Sequence, residues 1–559
     1  MATYYVRADG TVTAANRVNA TSDAAASTSL DRAEHNLCTF SPGDIVVISD
    51  AGGVYRGVFT VPSAGSSGSL ITYQASGSPI IKGSIDISDA SYSWTASGSG
   101  TNEYYCRTSG NADPGFVEPL SGVFLDDTIM GAGETIGSLS DHEWIWGDND
   151  SLGYSTIYIR DDSGDPDTSG VLIEAAQTGC FNNNQPYIVV DGIEVQHGIR
   201  GADYPGGIRC YGANCLIQNC EAHWNEAHGI KIAGDNSIIE YCTASYNGAH
   251  NIASGGGVDD HVQGVTIRYC TAHHARIADW SGPYAYSGYG LKFIYVDNSF
   301  MYGNETYSNE FQGIDIDLDS LNNDIYDNYI HDNAYQGIDV ELGSNGCRVF
   351  RNRCVDNGTT TLESLGQYEI SVVQGTTDTE IFSNVIYKTR DAGNDNSLIY
   401  VGGWTSGCDD TLIYGNTLDG GGYSVNGIIV TGLTSPVGTK IKNNIILGTT
   451  GPCLLISGTS YTGFETDYNQ YERSDADPDV ISRGGTLYTI AESLSSFSQD
   501  GNSAVGDPVF TNEGTHDYSL DTGSPCIGAA VNLGANYDTG VLPSSSWPSS
   551  VLAADRDDY

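Results

Sequence analysis

Four phrases of the sequence align without gaps: NEAHGI at residues 225–230, NGAHNI at 247–252, NEFQGI at 309–314 and NAYQGI at 333–338. Just upstream of each runs an apolar, alternating stretch: CLIQNCEAHWN, SIIEYCTASYN, SFMYGNETYSN and NDIYDNYIHDN. The equivalent point recurs at Ile193, Cys220, Cys242, Cys270, Asn304, Asn328, Asn352, Asn384, Asn416 and Asn444, in steps of 27, 22, 28, 34, 24, 24, 32, 32 and 28 residues. The shortest step measures one coil, and the excess marks insertions. Each unit holds short runs of period-two alternation broken by Asn, Gly or Asp, a pattern of strands rather than helices. The expectation is an all-β solenoid of stacked coils and parallel sheets, with one side chain of each alternating pair inside and the other outside. Asn at turn positions predicts a hydrogen-bonded ladder, and the Cys, Ile and Val columns predict a dry interior.

Composition agrees with an elongated repetitive body. The 559 residues include 70 Gly but only 16 Pro and 3 Met, which suits many short strands and turns. Asp and Glu number 70 against 23 Lys and Arg, a net charge of −47 that excludes nucleic acid and anionic lipid as natural partners. No apolar run is long enough to insert in a membrane, and the start MATYYVRADG lacks the order of a secretory signal. Thirteen Cys is an odd number. Without CxxC pairs, and with Cys220, Cys242 and Cys270 at one point of the repeat, they read as small buried hydrophobes.

The repeat phrase resembles that of right-handed parallel β-helix proteins over roughly Gly43 to Ser457. The ends are expected to differ, as solenoid caps do. SLDRAEHN suggests a short helix with Ser29 as its N-cap, and TLYTIAESLSSF suggests a second helix near the C-terminus. The resulting division is an N-terminal cap over 1–42, a β-helix over 43–468 with a large excursion around 84–180, and a C-terminal cap over 469–559.

Alternation then lists the outward positions. Lys292, Asp315 and Asp339 form one outward column, and Asp317 and Glu341 belong to a second, so an ammonium stands beside several stacked carboxylates. Asp319 is expected outward on the same strand as Asp315 and Asp317. These acids read as a cation site or a sugar-binding trough. Upstream, Asp235 and the pair Asp259 and Asp260 offer hard oxygen ligands for a cation such as Ca²⁺.

The order Asp235, VDDH at 258–261, VTIRYCTAHH at 265–274, SGYGLKF at 287–293 and the stretch ending GIDID is similar to the catalytic stretch of family 9 polysaccharide lyases. That resemblance implies calcium held by Asp235, Asp259 and Asp260, with Lys292 as the base in a Gly-x-Gly-x-Lys phrase that carries Leu291 where the family has Phe. Calcium would acidify the proton next to a uronate carboxylate, and a neutral lysine would remove it. Arg268 and Arg276 are the candidates to hold the substrate's carboxylates, with Trp280, Tyr284, Tyr286 and Tyr289 as a stacking platform.

The expected function is a calcium-dependent polysaccharide lyase acting on a uronic-acid-containing glycan, extracellular or on a virion. Two alternatives stand beside it. A glycan-binding or structural phage tailspike, homotrimeric by analogy, needs no chemistry at all. A glycoside hydrolase would use carboxylates from Asp315, Asp317, Asp339 and Glu341 on neighbouring coils.

Overall fold

The computed structural model describes residues 1–116, 122–199, 206–276, 288–359, 367–391, 396–403, 407–423, 425–432, 437–458 and 462–533. The chain divides into two compact units: Met1–Ile232 with Thr243–Ile252 and Ala275–Gly288, and Ala233–Cys242 with Ala253–His274 and Tyr289–Tyr559. Trp280, Tyr284 and Tyr286 lie outside the described residues. Among the described residues no helix is long and apolar enough to cross a membrane.

In the first unit three sheets grow by parallel pairing. One runs Thr3–Val6, Ile45–Ser49, Ile71–Ser76, Ile188–Asp191, Leu216–Gln218. The next runs Tyr55–Arg56, Ile80–Lys82 (β1), Glu194–Gln196, Glu221–His223, Thr243–Ser245. The third runs Phe59–Thr60, Phe181–Asn183, Gly206–Cys210, His228–Ile232. The N-terminal helix α1 (Arg32–Asn36) is capped by Asp31, whose carboxylate accepts the Glu34 N–H at 2.7 Å. Ser29 does not cap it, because the chain there is still extended and Leu30 bridges Val6 and Val12.

Between Ser84 and Ala176 the chain leaves the parallel pattern. It forms a four-stranded sheet that includes Ser84–Asp86 (β2) and Ile173–Ala176 (β3), and a five-stranded, largely antiparallel one. Ile87, Trp94, Cys106, Met130, Trp144 and Ile157 give this excursion its own apolar core. β3 also delivers Glu174, fully buried, to the cations of the first unit. Its oxygens meet Lys82 Nζ at 2.7 Å and Arg56 Nη1 at 2.5 Å. Lys82 also pairs with Asp127, and His197 stands 3.4 Å from Glu174 with its ring stacked on Phe124 at 3.6 Å.

The second unit repeats the arrangement. Its strands follow one another through parallel ladders from Ile238–Glu240 to Glu465–Asp467, from Thr271–His273 to Ala504–Val505, and from Leu291–Ile294 (β4) to Ile481–Arg483. Inward positions stack in columns. Ile267, Met301, Ile325, Val349, Ile381, Ile413 and Ile441 are all fully buried, each contributing roughly 1.5–3 kcal/mol by leaving water. All thirteen Cys are free thiols and all but Cys526 are buried, as small apolar side chains in these columns would be.

Asparagine lines the turns as the repeat predicts. The backbone N–H and Nδ2 of Asn304 both donate to Asn328 Oδ1 at 3.0 Å, and the pattern continues through Asn352, Asn384, Asn416 and Asn444 to Asn469. The Asn that opens each aligned phrase builds a second ladder, Asn309 to Asn333 to Asn357, which ends on Glu369. This ladder explains the glycine of the phrase: a Cβ on Gly313 would lie 2.7 Å from Asn333 Nδ2. Asn469 closes the first ladder while parallel pairing runs on to Ala504–Val505, and helix α2 (Ile490–Phe497) starts in a capping box between Thr489 and Glu492.

Candidate active site

Three successive strands of the second unit carry the lysine and the carboxylates: β4, Ile314–Asp317 (β5) and Ile338–Val340 (β6). Leu291 and Phe293, Ile314 and Ile316, and Ile338 and Val340 are fully buried on the inner face, so period-two alternation sends Lys292, Asp315 and Asp339 to the other face. Register stacks them, Lys292 opposite Asp315 and Asp315 opposite Asp339, while Asp317 lies opposite Ile294 and Glu341 follows β6. Asp319 is not part of this wall. The strand ends at Asp317, and Asp319 sits in a turn at φ 53°.

Although they leave the inner face, these side chains are not exposed. Lys292, Asp315, Asp317 and Asp339 retain 4%, 0%, 7% and 3% of their accessible surface. Tyr289 stands beside them with its ring centroid 3.8 Å from Lys292 Nζ, and continues into Phe311 and Tyr335 at centroid distances of 5.4 and 4.7 Å. Each of these aromatics enters from the loop before its strand.

Lys292 Nζ lies 2.5 Å from Asp315 Oδ2 and 2.9 Å from Asp317 Oδ2. Ser371 Oγ donates to Asp339 Oδ1 at 2.6 Å, and Gln312 Nε2 donates to its Oδ2 at 3.4 Å. One oxygen from each of Asp315, Asp317 and Glu341 falls within 4.8 Å of the others. Asp317 Oδ1, Asp315 Oδ1, Gln312 Oε1 and Gln336 Oε1 are buried with no hydrogen-bond partner.

One ammonium cannot neutralise four carboxyl groups, and burial penalises every charge that remains. Burial, then the charges of Asp339, Asp315 and Asp317, push Glu341 up to about 10. Burial chiefly, with Asp317 and Asp339 and against the pull of Lys292, pushes Asp315 up to about 8. Burial also raises Asp339 to about 6 despite its bonds from Ser371 and Gln312. Burial opposes the charge on Lys292 as well, but Asp315, Tyr289 and Asp317 outweigh it and hold the ammonium well above its ordinary range.

The other expected residues do not join this cluster. Asp235 is exposed in a turn and accepts the Gln263 N–H at 2.9 Å. Asp259 and Asp260 are exposed at a turn closed by Gly257 and Asp260. That turn lies past the far end of β4, where Gly256 N–H bonds the Ile294 carbonyl. Among the described residues, the convergent acid groups include Asp315, Asp317 and Glu341 but none of these three, since each faces solvent or a backbone amide. Arg268 belongs to a different sheet from Lys292, and its guanidinium is committed to Glu240 Oε2 at 2.7 Å and to the Tyr302 hydroxyl at 2.8 Å. Arg276 belongs to the first unit, where its N–H bonds the Asn247 carbonyl. Tyr289 is at the site, as the edge of the lysine's enclosure.

Comparison with known proteins gives the handedness. The family model for the right-handed β-helix region matches residues 206–386. The chain is a right-handed parallel β-helix. No curated protein matches its sequence. Among solved β-helices, XylC in complex with xylose aligns at TM-score 0.55 and 14% identity, over 85% of this chain and 86% of its own. A mannuronic acid specific polysaccharide family 6 lyase from human gut microbiota aligns at TM-score 0.50 and 12% identity, over 95% of each chain. At such identities the likeness is one of fold.

On this β-helix, sequence reasoning missed Gln312 and Ser371 as partners of Asp339, and Gln336, which follows Gln312 one coil on. The aligned phrases held a signal for two of them: Gln312 and Gln336 precede the Gly-Ile pair in NEFQGI and NAYQGI, one coil apart, where NEAHGI has His228. Ser371 pairs with Asp339 in the register of the next strand, Tyr368–Val373 (β7), but lies outside the repeated phrase.

Proposed function

We propose that this β-helix is a carbohydrate-active enzyme that cleaves a glycosidic bond with two carboxyl groups, Glu341 as proton donor and Asp317 as nucleophile. The observation that carries the reading is the contrast between them. Glu341 is a carboxyl held in its protonated form near neutral pH by burial among acids. Asp317 is ion-paired to Lys292 at 2.9 Å and keeps a second oxygen without a partner. Neighbouring carboxyls in such different surroundings, one buried without a cation of its own and one ion-paired, fit the acid and the nucleophile of such a reaction. The short separation, within 4.8 Å between oxygens, fits the roughly 5–5.5 Å of retaining glycosidases better than the roughly 6.5–9.5 Å that an inverting enzyme needs for its water.

In this reading Glu341 protonates the leaving oxygen as the bond to the anomeric carbon breaks, and Asp317 Oδ1 forms an ester with that carbon. Water then attacks the same carbon, gives its proton to the Glu341 carboxylate and releases Asp317. Lys292 orients Asp317, and Asp315 holds Lys292. The lysine is disfavoured as the base of a β-elimination, because its ammonium lies between two carboxylates that stabilise the proton it would have to lose. That ammonium already pairs with Asp315 and Asp317, two of the acids a calcium ion would draw on, which disfavours a calcium step in this reading. Xylose in one solved relative in fold and mannuronic acid specificity in another lend support to a sugar substrate.

The test is product analysis on a panel of neutral and acidic polysaccharides, with and without a chelator. New reducing ends without unsaturated, ultraviolet-absorbing products, unchanged by chelation, are the expected result. Unsaturated products that vanish on chelation would replace this reading with the calcium lyase.

A further inference from the structure

The unpartnered oxygens of the site describe the ligand that would satisfy them. Asp317 Oδ1, Gln312 Oε1 and Gln336 Oε1 are acceptors, all buried and all without a donor. The two glutamines expose only 6% and 7% of their surface, so water does not bathe them as it would a surface amide. The orientation of Gln312 follows from its own contact: its amide N–H donates to Asp339 Oδ2 at 3.4 Å, which leaves the carbonyl end free. Gln336 repeats the placement one coil on, in the same position of its phrase. A buried acceptor is worth filling, because an unfilled one keeps the full cost of having left water.

Beyond the Glu341 carboxyl proton, which the leaving oxygen takes, the donors at this site are already engaged. Ser371 already donates to Asp339, and Lys292 is committed to Asp315 and Asp317 with only 4% of the residue exposed. Arg268 is held by Glu240 on another sheet. A ligand carboxylate entering this site would bring two more acceptors and a negative charge to carboxyl groups that already outnumber their cation. A neutral sugar brings hydroxyl donors to acceptors that lack them.

We infer that the site selects neutral sugar units against uronic acids, and that Gln312 and Gln336 are the specificity-determining acceptors for their hydroxyls. This rests on the carbohydrate reading above and reverses the charge of the substrate expected from sequence.

Binding separates the two claims. Glu341→Gln removes the proton donor, so ligands can be titrated by calorimetry without turnover. The probes are neutral xylo-, gluco-, manno-, galacto- and arabino-oligosaccharides, set against oligogalacturonates and oligomannuronates of equal length. At least one neutral series should bind, with uronates at least roughly ten-fold weaker, a factor equivalent to about one well-made hydrogen bond. In the same background Gln336→Leu should weaken the neutral ligand roughly ten-fold at unchanged melting temperature. Gln336→Lys should narrow the gap in favour of uronates, a change that a purely structural glutamine would not produce. Uronates that bind as well as neutral sugars overturn the inference, and so does failure of both classes to bind. Neutral binding together with a wild-type protein that releases no reducing ends would leave the inference standing and remove the hydrolase.

Discussion

Lys82 and Lys292, two of the buried lysines, each sit among several carboxyl groups, and they do opposite things. In the first unit Lys82, Arg56 and His197 surround Glu174, while Asp127 and Asp86 lie against Lys82 and Arg56. Burial disfavours the Glu174 charge, but the bonds from His197 and Lys82 outweigh it and hold the carboxyl well below the usual carboxylate range. In the second unit Lys292 stands alone against Asp315, Asp317, Asp339 and Glu341, and the acids Asp315, Asp339 and Glu341 are pushed up instead. The same residue types at similar burial make a fastening in one place and a store of protons in the other. The larger surplus of acids over cations sets the second cluster apart, because a low-dielectric interior tolerates a paired charge far better than a surplus one.

The contrast breaks first in the chemistry. Asp317→Asn should lower kcat roughly ten-thousand-fold, the scale of removing one member of a catalytic group. Glu341→Gln should lower it about a thousand-fold, within the range of general acid catalysis. Neither should lower the melting temperature, since Glu341 is already uncharged near neutral pH and Lys292 keeps Asp315 when Asp317 is lost. Loss of stability at full activity in either variant would make the second cluster a fastening like the first.

Glu174→Gln should do the reverse. Removing one partner of a buried pair costs about 3–5 kcal/mol, read as a lower denaturant midpoint, with the glycosidase chemistry of the folded fraction intact. Losing activity before stability would tie the excursion to catalysis.

The pH dependence of stability sharpens the comparison at smaller amplitude. Asp339 is raised from 3.8 to about 6, so the folded state binds more protons than the unfolded between those values, and stability falls as pH rises through that window. Asp339→Asn should reduce that slope by its own share and leave the part due to Asp315 and Glu341. Glu174 is lowered from 4.5, so its contribution is complete above that value and disappears as pH falls below it; Glu174→Gln should remove the acid-side loss. Denaturation curves across pH in the two variants check both signs. The smallest effect is expected from Asn328→Ala in the turn ladder. It leaves the donors of Asn304 unmet and costs about 1–3 kcal/mol, with no change in the pH slope of either cluster.

The column of Lys292, Asp315 and Asp339 was legible because a parallel coil converts repeat period into register. Once NEFQGI and NAYQGI are aligned, the residues that follow each Ile must stack. Their burial was not legible. Tyr289 covers the lysine, and Phe311 and Tyr335 pack on in series, from loops whose direction the alternation does not report. The separation of Asp235, Asp259 and Asp260 from that column has the same origin: they lie in turns, where period-two logic has no purchase. The Lys82 fastening was beyond reach altogether, since Glu174 returns from an excursion 92 residues along the chain.

By its repeats alone, the sequence determined a solenoid of parallel strands, its asparagine ladders and the order of amine and acids along one sheet, since those depend only on period and alternation. Whether that row meets solvent, which acids keep their protons and which oxygens are left waiting for a donor was decided by the tertiary structure. Those properties depend on how much water and countercharge surround each group, and that surrounding is assembled from segments the repeat does not link.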